Sequence, residues 1–220
     1  MKSEPRVFNQ HLLTMVELGL GELQDSIESG KTSATPVSET YFLSSWVTKA
    51  IKQQRFHPCL KAVLLQWQQQ SRSMGKNAAL KKQFADIQTA YRQQLKGREA
   101  FEPLKEAQLR ALFDELVQLD WEVTLEYPVL RKVSHFTEGQ ASLVVCCEQQ
   151  TAAFKDGEVI KPLSLYVRGD KHQLIDLAAK HDVLLHKVTD YKSKVKYHGE
   201  YLVYPTNDGP IIAELPSIAD

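Results

Sequence analysis

The sequence has few cysteines, and none of them is placed to build a cross-linked or metal-bound fold. The three are Cys59, Cys146 and Cys147. The last two are neighbours in a predicted strand, where consecutive side chains point to opposite faces. No C-x2-4-C spacing with further Cys or His partners indicates a zinc site. We therefore expect reduced thiols, a cytoplasmic protein, no metal and no other cofactor.

Long apolar runs and catalytic signatures are also missing. No stretch reaches the roughly 18 to 20 apolar residues that cross a bilayer, and Glu17, Glu22 and Asp25 break up the apolar residues near the N-terminus, which argues against a cleaved signal. The motifs G-x-x-x-x-G-K-[ST], G-x-G-x-x-G, H-E-x-x-H, G-x-S-x-G and C-x-x-C do not occur, and their absence disfavours the common catalytic classes. The expectation is a protein that is not an enzyme and contacts no membrane, with a motif-free enzyme as an alternative.

Charge is balanced overall but segregated along the chain. There are 27 basic and 27 acidic residues, giving a formal net charge of zero. Residues 49–98 hold 11 basic residues against one acid, Asp86, whereas residues 99–160 hold 5 basic and 12 acidic residues. Such a basic segment is typical of proteins that bind nucleic acid or another polyanion.

The basic segment includes a helix predicted from about 77 to 96. At about 100° per residue, four cations fall on one side of that helix, away from its apolar residues. They are the candidate polyanion-binding residues, Lys81, Lys82, Arg92 and Lys96. Two structural alternatives stay open: a charged face is typical of any surface helix, and the acidic stretch from Glu99 to Glu126 can neutralise the basic one.

The spacing of apolar residues predicts the fold class. Periods of three and four predict about five helices: about 7–28, one from Pro36, one from Leu60, about 77–96, and Pro103 to about Leu119. Near residue 120 the period changes to two, and strands are predicted at Trp121–Tyr127, Ser142–Cys147, Leu163–Val167, Val183–Val188 and Tyr201–Tyr204, with a hairpin turn at Lys155–Glu158 and a helix after Asp170. We therefore predict an α+β fold: a helical domain or subdomain over 1–120, then an α/β subdomain over 121–220 with a small mixed sheet and one or two helices.

The turn before the last predicted helix is a candidate anion site. Arg168, Gly169 and Lys171 place two cations and backbone amides at a helix N-terminus. Asp170 is well placed to cap those amides itself, which favours a purely structural turn. Four histidines follow in the same third of the chain without metal-ligand or catalytic spacing: His172, His181, His186 and His198.

Two segments resemble a known family. The stretch Trp121–Tyr127, and Leu165–Asp170 with the helix after it, are similar to an uncharacterised bacterial domain family, domain-of-unknown-function family 2913. The resemblance covers most of the chain and implies a bacterial, cytoplasmic protein. It carries no activity and no site residue to this sequence.

The sequence thus favours an interaction protein. Its helical half is expected to dock a protein partner or a second copy of itself through aromatic side chains on the helices, namely Phe42, Trp46, Trp67, Phe84 and Tyr91. One alternative is binding of nucleic acid through the basic helices of residues 49–98. The other is an enzyme with its site between the two halves, lined by groups such as Arg168, Asp170, His172 and Tyr191.

Overall fold

A computed structural model of the protein describes residues 7–217. The chain divides into two compact units, one ending at Glu99 and the other beginning at Ala100. Seven α-helices and seven strands lie in the described residues, with a helical N-terminal half followed by a mixed sheet, so the predicted α+β class is confirmed. The predicted division at residue 120 falls inside the second unit. No helix within residues 7–217 is long and apolar enough to span a membrane.

The first unit consists of four helices. They are α1 Phe8–Glu28, α2 Pro36–Gln53, α3 Lys61–Met74 and α4 Leu80–Leu95, with 3-10 turns at Pro58–Leu60 and Gly75–Ala78. The start of α2 is capped, because the Thr35 hydroxyl accepts from the Ser38 amide at 3.3 Å, and Pro36 occupies the first helical position, as predicted. Gly30, at φ 72°, follows the end of α1 in the left-handed conformation that glycine favours.

Phe84 is the centre of the first unit's core. It is fully buried, and its ring lies 4.6 Å from Trp67 and 6.2 Å from Trp46, measured between ring centroids. Gly19 of α1 permits close contact with α4, since a Cβ there would come within 2.8 Å of the Phe84 ring. The aromatic centre of this core is therefore covered by α1, α2, α3 and α4.

The second unit is a five-stranded sheet with three helices. Its elements are α5 Glu106–Gln118, β1 Glu122–Thr124, β2 Ser142–Val145, α6 Cys147–Ala153, β3 Phe154–Lys155, β4 Glu158–Val159, β5 Leu163–Arg168, α7 Lys171–Lys180, β6 His186–Thr189 and β7 Gly199–Val203. The sheet order is β1-β2-β5-β7-β6, and β3 and β4 form a separate hairpin. Only β1 and β2 of the five run parallel; the other neighbours are antiparallel.

Two local predictions were wrong in this unit, and the predicted hairpin turn at Lys155–Glu158 is confirmed. The strand expected to reach Tyr127 ends at Thr124, and the chain then continues as a loop. Cys147 is not in a strand but begins the short helix α6, with the Gln150 amide bonded to the Cys146 carbonyl. The turn at Asp156 and Gly157 joins the two-residue strands β3 and β4, whereas β2 and β5 pair with α6 between them.

The two faces of the sheet are covered differently. The inner face carries the main core, where Leu143, Leu165 and Tyr201 pack among the apolar residues of α5 and α7. The outer face is crossed by residues 125–141, which we call the crossover loop because they connect the parallel strands β1 and β2. A smaller apolar cluster lies there, formed by Val129, Val144, Cys146, Tyr166 and Val195. Both faces of β2 are therefore buried.

Candidate functional site

The predicted cationic stripe on α4 is exposed but largely paired. Three of its four cations contact an acid of the same unit: Lys81 with Glu39 at 2.6 Å, Lys82 with Asp86 at 3.1 Å, and Arg92 with Glu17 at 2.5 Å. Lys96, the fourth, lies at the end of α4 in a left-handed conformation. Glu17 comes from α1 and Glu39 from α2, so these neutralising acids are not those of the stretch after Glu99.

The predicted anion turn is occupied by its own residues. A carboxylate oxygen of Asp170 accepts from the amides of His172 and Gln173 at 2.9 and 3.3 Å, as the capping prediction required. Arg168 donates to the Thr137 hydroxyl and to the Gln140 carbonyl, and Lys171 pairs with Asp190. Gly169 has a steric role, because a Cβ there would lie 2.8 Å from the Trp121 ring.

The second unit contains a cavity that the sequence did not predict. It encloses about 660 Å³ on the outer face of the sheet, under the crossover loop. Its walls combine aromatic and aliphatic side chains with a few ionisable ones: Glu122, Tyr127, Pro128, Leu130, Arg131, Val133, Ser134, His135, Phe136 and Val144. A mostly apolar cavity with a few convergent polar groups is typical of sites for small organic groups.

His135 brings an unsatisfied polar atom to this cavity. Its side chain is only 8% exposed, and Nε2 lies 3.4 Å from Glu122 Oε1, yet Nε2 makes no hydrogen bond within the described residues. The rings of Tyr127 and His198 hold the imidazole edge to face, at centroid distances of 6.2 and 5.8 Å. Because buried polar atoms are rarely left without a partner, this nitrogen is an uncompensated group in the cavity wall, with the Glu122 carboxylate as its polar neighbour.

Behind His135, Ser142 and His198 form a buried pair. His198 Nδ1 lies 2.8 Å from the Lys196 carbonyl, which only accepts, so Nδ1 carries the proton. Nε2 consequently accepts from the Ser142 hydroxyl at 2.9 Å. A nucleophile and its base are arranged in this way in hydrolases, but both residues are fully buried. The pair therefore supports the loop rather than offering an accessible nucleophile.

Burial of His198 should make stability depend on pH. Desolvation is the main reason why the pKa of His198 is lowered, and the nearby charges of His135 and Arg168 lower it further. His198 is thus neutral when folded and takes up a proton on unfolding below its ordinary value of about 6.5. The contribution of the neutral His198 side chain to the free energy of unfolding is complete above that pH. As the pH falls below it, the free energy of unfolding decreases by at most about 1.4 kcal/mol per pH unit.

We expect urea titrations to give a lower free energy of unfolding at pH 5.5 than at pH 7.5, with a smaller difference in His198→Asn. His11 is the control, because burial and the stacked His57 ring also lower the pKa of His11. His11→Asn should remove its own share of the pH dependence and leave that of His198 intact. An unchanged pH dependence in His198→Asn would show that His198 does not titrate on unfolding.

Beside the cavity lies a group of exposed cations. We call Lys192, Lys194 and Lys196 the lysine strip; they alternate with the buried residues Ser193 and Val195 and face solvent. The strip is bonded to the crossover loop at one residue, because the Val133 amide donates to the Lys194 carbonyl and the Lys196 amide donates to the Val133 carbonyl, both at 2.9 Å. The exposed cations Arg131 and Lys132 immediately precede Val133. None of these five cations has an acidic partner within residues 7–217.

Exposed aromatic rings surround the same cations. Tyr191 and Tyr197 flank the lysine strip and are each 76% exposed, and Phe136 at the cavity is 82% exposed. Tyr197 also has a positive φ of 64°, which a bulky residue adopts only when its surroundings require it, and such conformations cluster at functional sites. Here the His198 amide donates to the Val195 carbonyl across this turn.

The sequence contains a local signal for this surface, but the net charge of the segment hides it. Residues 161–220 hold equal numbers of basic and acidic residues, so the segment looked neutral. The pattern Tyr-Lys-Ser-Lys-Val-Lys-Tyr over 191–197, with cations alternating with small or apolar residues between two tyrosines, was the local signal. Glu122 and His135 carry no such signal, since the fold alone brings them together.

No spacing in the sequence pairs the histidines, and the structure places two of them as follows. The imidazole of the partly buried His181 lies 2.7 Å from the Glu115 carboxylate. His198 meets His135, which the sequence did not single out. Within the described residues no group of three His, Cys, Asp or Glu side chains is placed to hold a metal ion.

Comparison with known proteins gives one result. A family model described as "Protein of unknown function (DUF2913)" matches residues 7–216. No curated protein matches, and no solved structure matches.

Proposed function

Since the chain belongs to the DUF2913 family, whose description assigns no activity, we propose from its own residues that the protein binds single-stranded nucleic acid through the lysine strip and the crossover loop. The observation that carries the proposal is the set of five exposed cations, none with an acidic partner among residues 7–217, on two bonded segments beside exposed aromatic rings. Proteins that bind single strands combine these two features, cations for the phosphates and aromatic rings for the unstacked bases.

A single strand fits this surface better than a duplex does. The bases of a duplex are stacked inside it and cannot pack on Tyr191, Tyr197 or Phe136, whereas those of a single strand can. The site also lacks a helix that presents side chains to a major groove, since irregular loops carry its cations. We therefore expect weaker binding to duplex than to single strand of the same length.

The sequence predicted polyanion binding on α4, whereas the surface proposed here lies in the second unit. On α4, Lys81, Lys82 and Arg92 each have an acidic partner, and releasing those partners offsets part of any gain from a phosphate. On the lysine strip no acid of the described part of the chain has to be displaced. The two cationic surfaces can therefore be compared directly within one protein.

The test is a fluorescence-polarisation titration with a labelled single strand of about 15 nucleotides and the matching duplex. If all five cations contact phosphates, affinity should fall by about a hundredfold between 50 mM and 200 mM salt. The triple variant Lys192→Gln, Lys194→Gln and Lys196→Gln should bind weakly and lower the slope of log affinity against log salt by about 2. Tyr191→Ala and Tyr197→Ala should each weaken binding by about 1–3 kcal/mol.

The matched control changes as many cations on α4, namely Lys81→Gln, Lys82→Gln and Arg92→Gln. It removes the same net charge from the protein and should leave the affinity nearly unchanged. Equal losses in the two triple variants would mean that net charge alone drives binding. No binding of the single strand at 50 mM salt would refute the proposal.

Docking of a protein partner or a second copy through the helical half stays a prediction. The aromatic residues on which the docking prediction rests do not favour docking. Trp46, Trp67, Phe84 and Tyr91 are buried within the first unit, and Phe42 is half-buried. Light scattering after size-exclusion chromatography, at several micromolar concentrations, tests for self-association.

A further inference from the structure

A second cavity, of about 430 Å³, lies in the first unit between the end of α2 and the start of α3. Its apolar wall includes the buried Leu64 and the half-buried Phe56. Within the described part of the chain, its ionisable wall residues are all basic, namely Arg55, His57 and Lys61. Apolar walls with a few polar groups are typical of sites for small organic molecules. The basic side chains indicate that such a molecule would be an anion.

Arg55 is held in one orientation at this cavity. Its Nη2 donates to Glu22 Oε1 at 2.5 Å, and its Cζ lies 5.5 Å from the ring centroids of both Trp46 and Phe56. Since arginine carries five N–H donors and this side chain is still 35% exposed, the guanidinium has donors left for a ligand. Because it is already oriented, it loses little side-chain entropy when it binds an anion.

The other two basic residues differ in how firmly they are held. His57 Nδ1 accepts from the Cys59 amide at 3.3 Å, so the neutral ring carries its proton on Nε2 and can donate from there. The His11 ring stacks on the His57 ring, with centroids 4.4 Å apart and planes 5° apart. Lys61, in the first turn of α3, is exposed and has no acidic partner within residues 7–217.

These groups leave one uncompensated positive charge at the cavity. The Glu22 carboxylate balances the charge of Arg55, and the neutral form of His57 adds none, so the charge is that of Lys61. A ligand with a single negative charge therefore matches the cavity better than a phosphate dianion does. The planar guanidinium of Arg55 also matches the geometry of a carboxylate.

We propose that this cavity binds a small organic carboxylate with a flat apolar body. The carboxylate is bonded to Arg55 and Lys61, and the apolar body packs against Phe56 and Leu64, where its burial adds to the affinity. This site is independent of the proposed strand binding, because all of its residues belong to the first unit.

The test is an NMR titration that follows the amide signals of the full chain with benzoate, benzamide and acetate as probes. Benzamide has the ring and shape of benzoate without its charge, and acetate has the charge without the ring. We expect benzoate to shift the amides of residues 50–64 in a saturable way. Its affinity should exceed that of benzamide by about tenfold, because hydrogen bonds to a charged group are stronger than those to a neutral one. Acetate, which lacks the apolar body, should also bind more weakly than benzoate.

Lys61→Gln should weaken benzoate binding by about two- to fivefold, the range for an exposed ion pair. Lys52→Gln is the matched control, because Lys52 is an exposed lysine at the end of α2 that is not in the cavity wall. It makes the same charge change and should leave the affinity unchanged. Both lysines are exposed, so neither substitution should impair folding.

Three results would overturn the proposal. Equal affinities for benzoate and benzamide would show that the cavity does not recognise the charge. Equal losses in Lys61→Gln and Lys52→Gln would show that the overall charge of the surface attracts the ligand. Absence of saturable shifts in residues 50–64 at millimolar benzoate would show that the cavity binds no such molecule. Each of these results would leave the proposed strand binding standing, since the lysine strip lies in the second unit.

Discussion

Replacing Phe84 with Ala should lower the free energy of unfolding of the first unit by about 3–5 kcal/mol, the usual range for removal of a buried ring. The ring is fully buried against Trp46 and Trp67, and its edge fills the space that Gly19 leaves open on α1. Removing it leaves a cavity bordered by two rigid indole rings, which cannot easily collapse into it.

The measurement is urea unfolding followed by tryptophan fluorescence in a Trp121→Phe background. In that background both remaining tryptophans, Trp46 and Trp67, report on the first unit. Tyr41→Ala is the control, because the Tyr41 side chain is exposed and its removal should change stability by less than about 0.5 kcal/mol. A loss below about 1 kcal/mol in Phe84→Ala would contradict the packing described for the ring.

Replacing Trp121 with Ala should destabilise the second unit by a similar amount, about 3–5 kcal/mol. The indole is buried, its Nε1 donates to Gln173 at the start of α7 at 2.8 Å, and its ring lies against Gly169 at the end of β5. The substitution creates a cavity and removes the indole donor to Gln173. Both effects act where β5 turns into α7.

Hydrogen exchange at the amides of β5 and β7 measures this loss, because these central strands open only in large unfolding events. Phe136→Ala is the control: the ring is highly exposed, so exchange at the same amides should be unchanged. If Trp121→Ala accelerated exchange only in the crossover loop, the indole would support that loop and not the sheet.

The helices of the first unit were predictable because their signals are local. Apolar residues three and four apart define each buried face, and Thr35 followed by Pro36 gives the start of α2 without reference to the rest of the chain. The segment from Ser142 to Cys147 misled the prediction for a related reason. Its apolar run continues across the end of β2, so residue type alone does not reveal that α6 begins at Cys147.

Apart from the lysine strip, the candidate site was not predictable, because its features depend on contacts between distant residues. Lys81 is paired by Glu39, 42 positions earlier, so the charge of the basic segment could not be judged from a count along the chain. Glu122, His135 and His198 come together because β1 and β2 are parallel neighbours and the crossover loop returns across the sheet. No spacing of residues along the sequence indicates that these three side chains lie close together.

The parallel pairing of β1 and β2 places the main core on one face of the sheet and the crossover loop on the other. Parallel neighbours are usually joined by a helix, which would cover the outer face with its own apolar side; here an irregular segment makes that crossing and leaves room beneath it. Substitutions at the exposed positions of this segment should cost little stability, because the main core lies on the opposite face. Its buried residue Val129 is different, since it belongs to the smaller apolar cluster and holds the segment to the sheet. The exposed positions of one irregular connection are therefore the natural place to engineer a new surface on an unchanged scaffold.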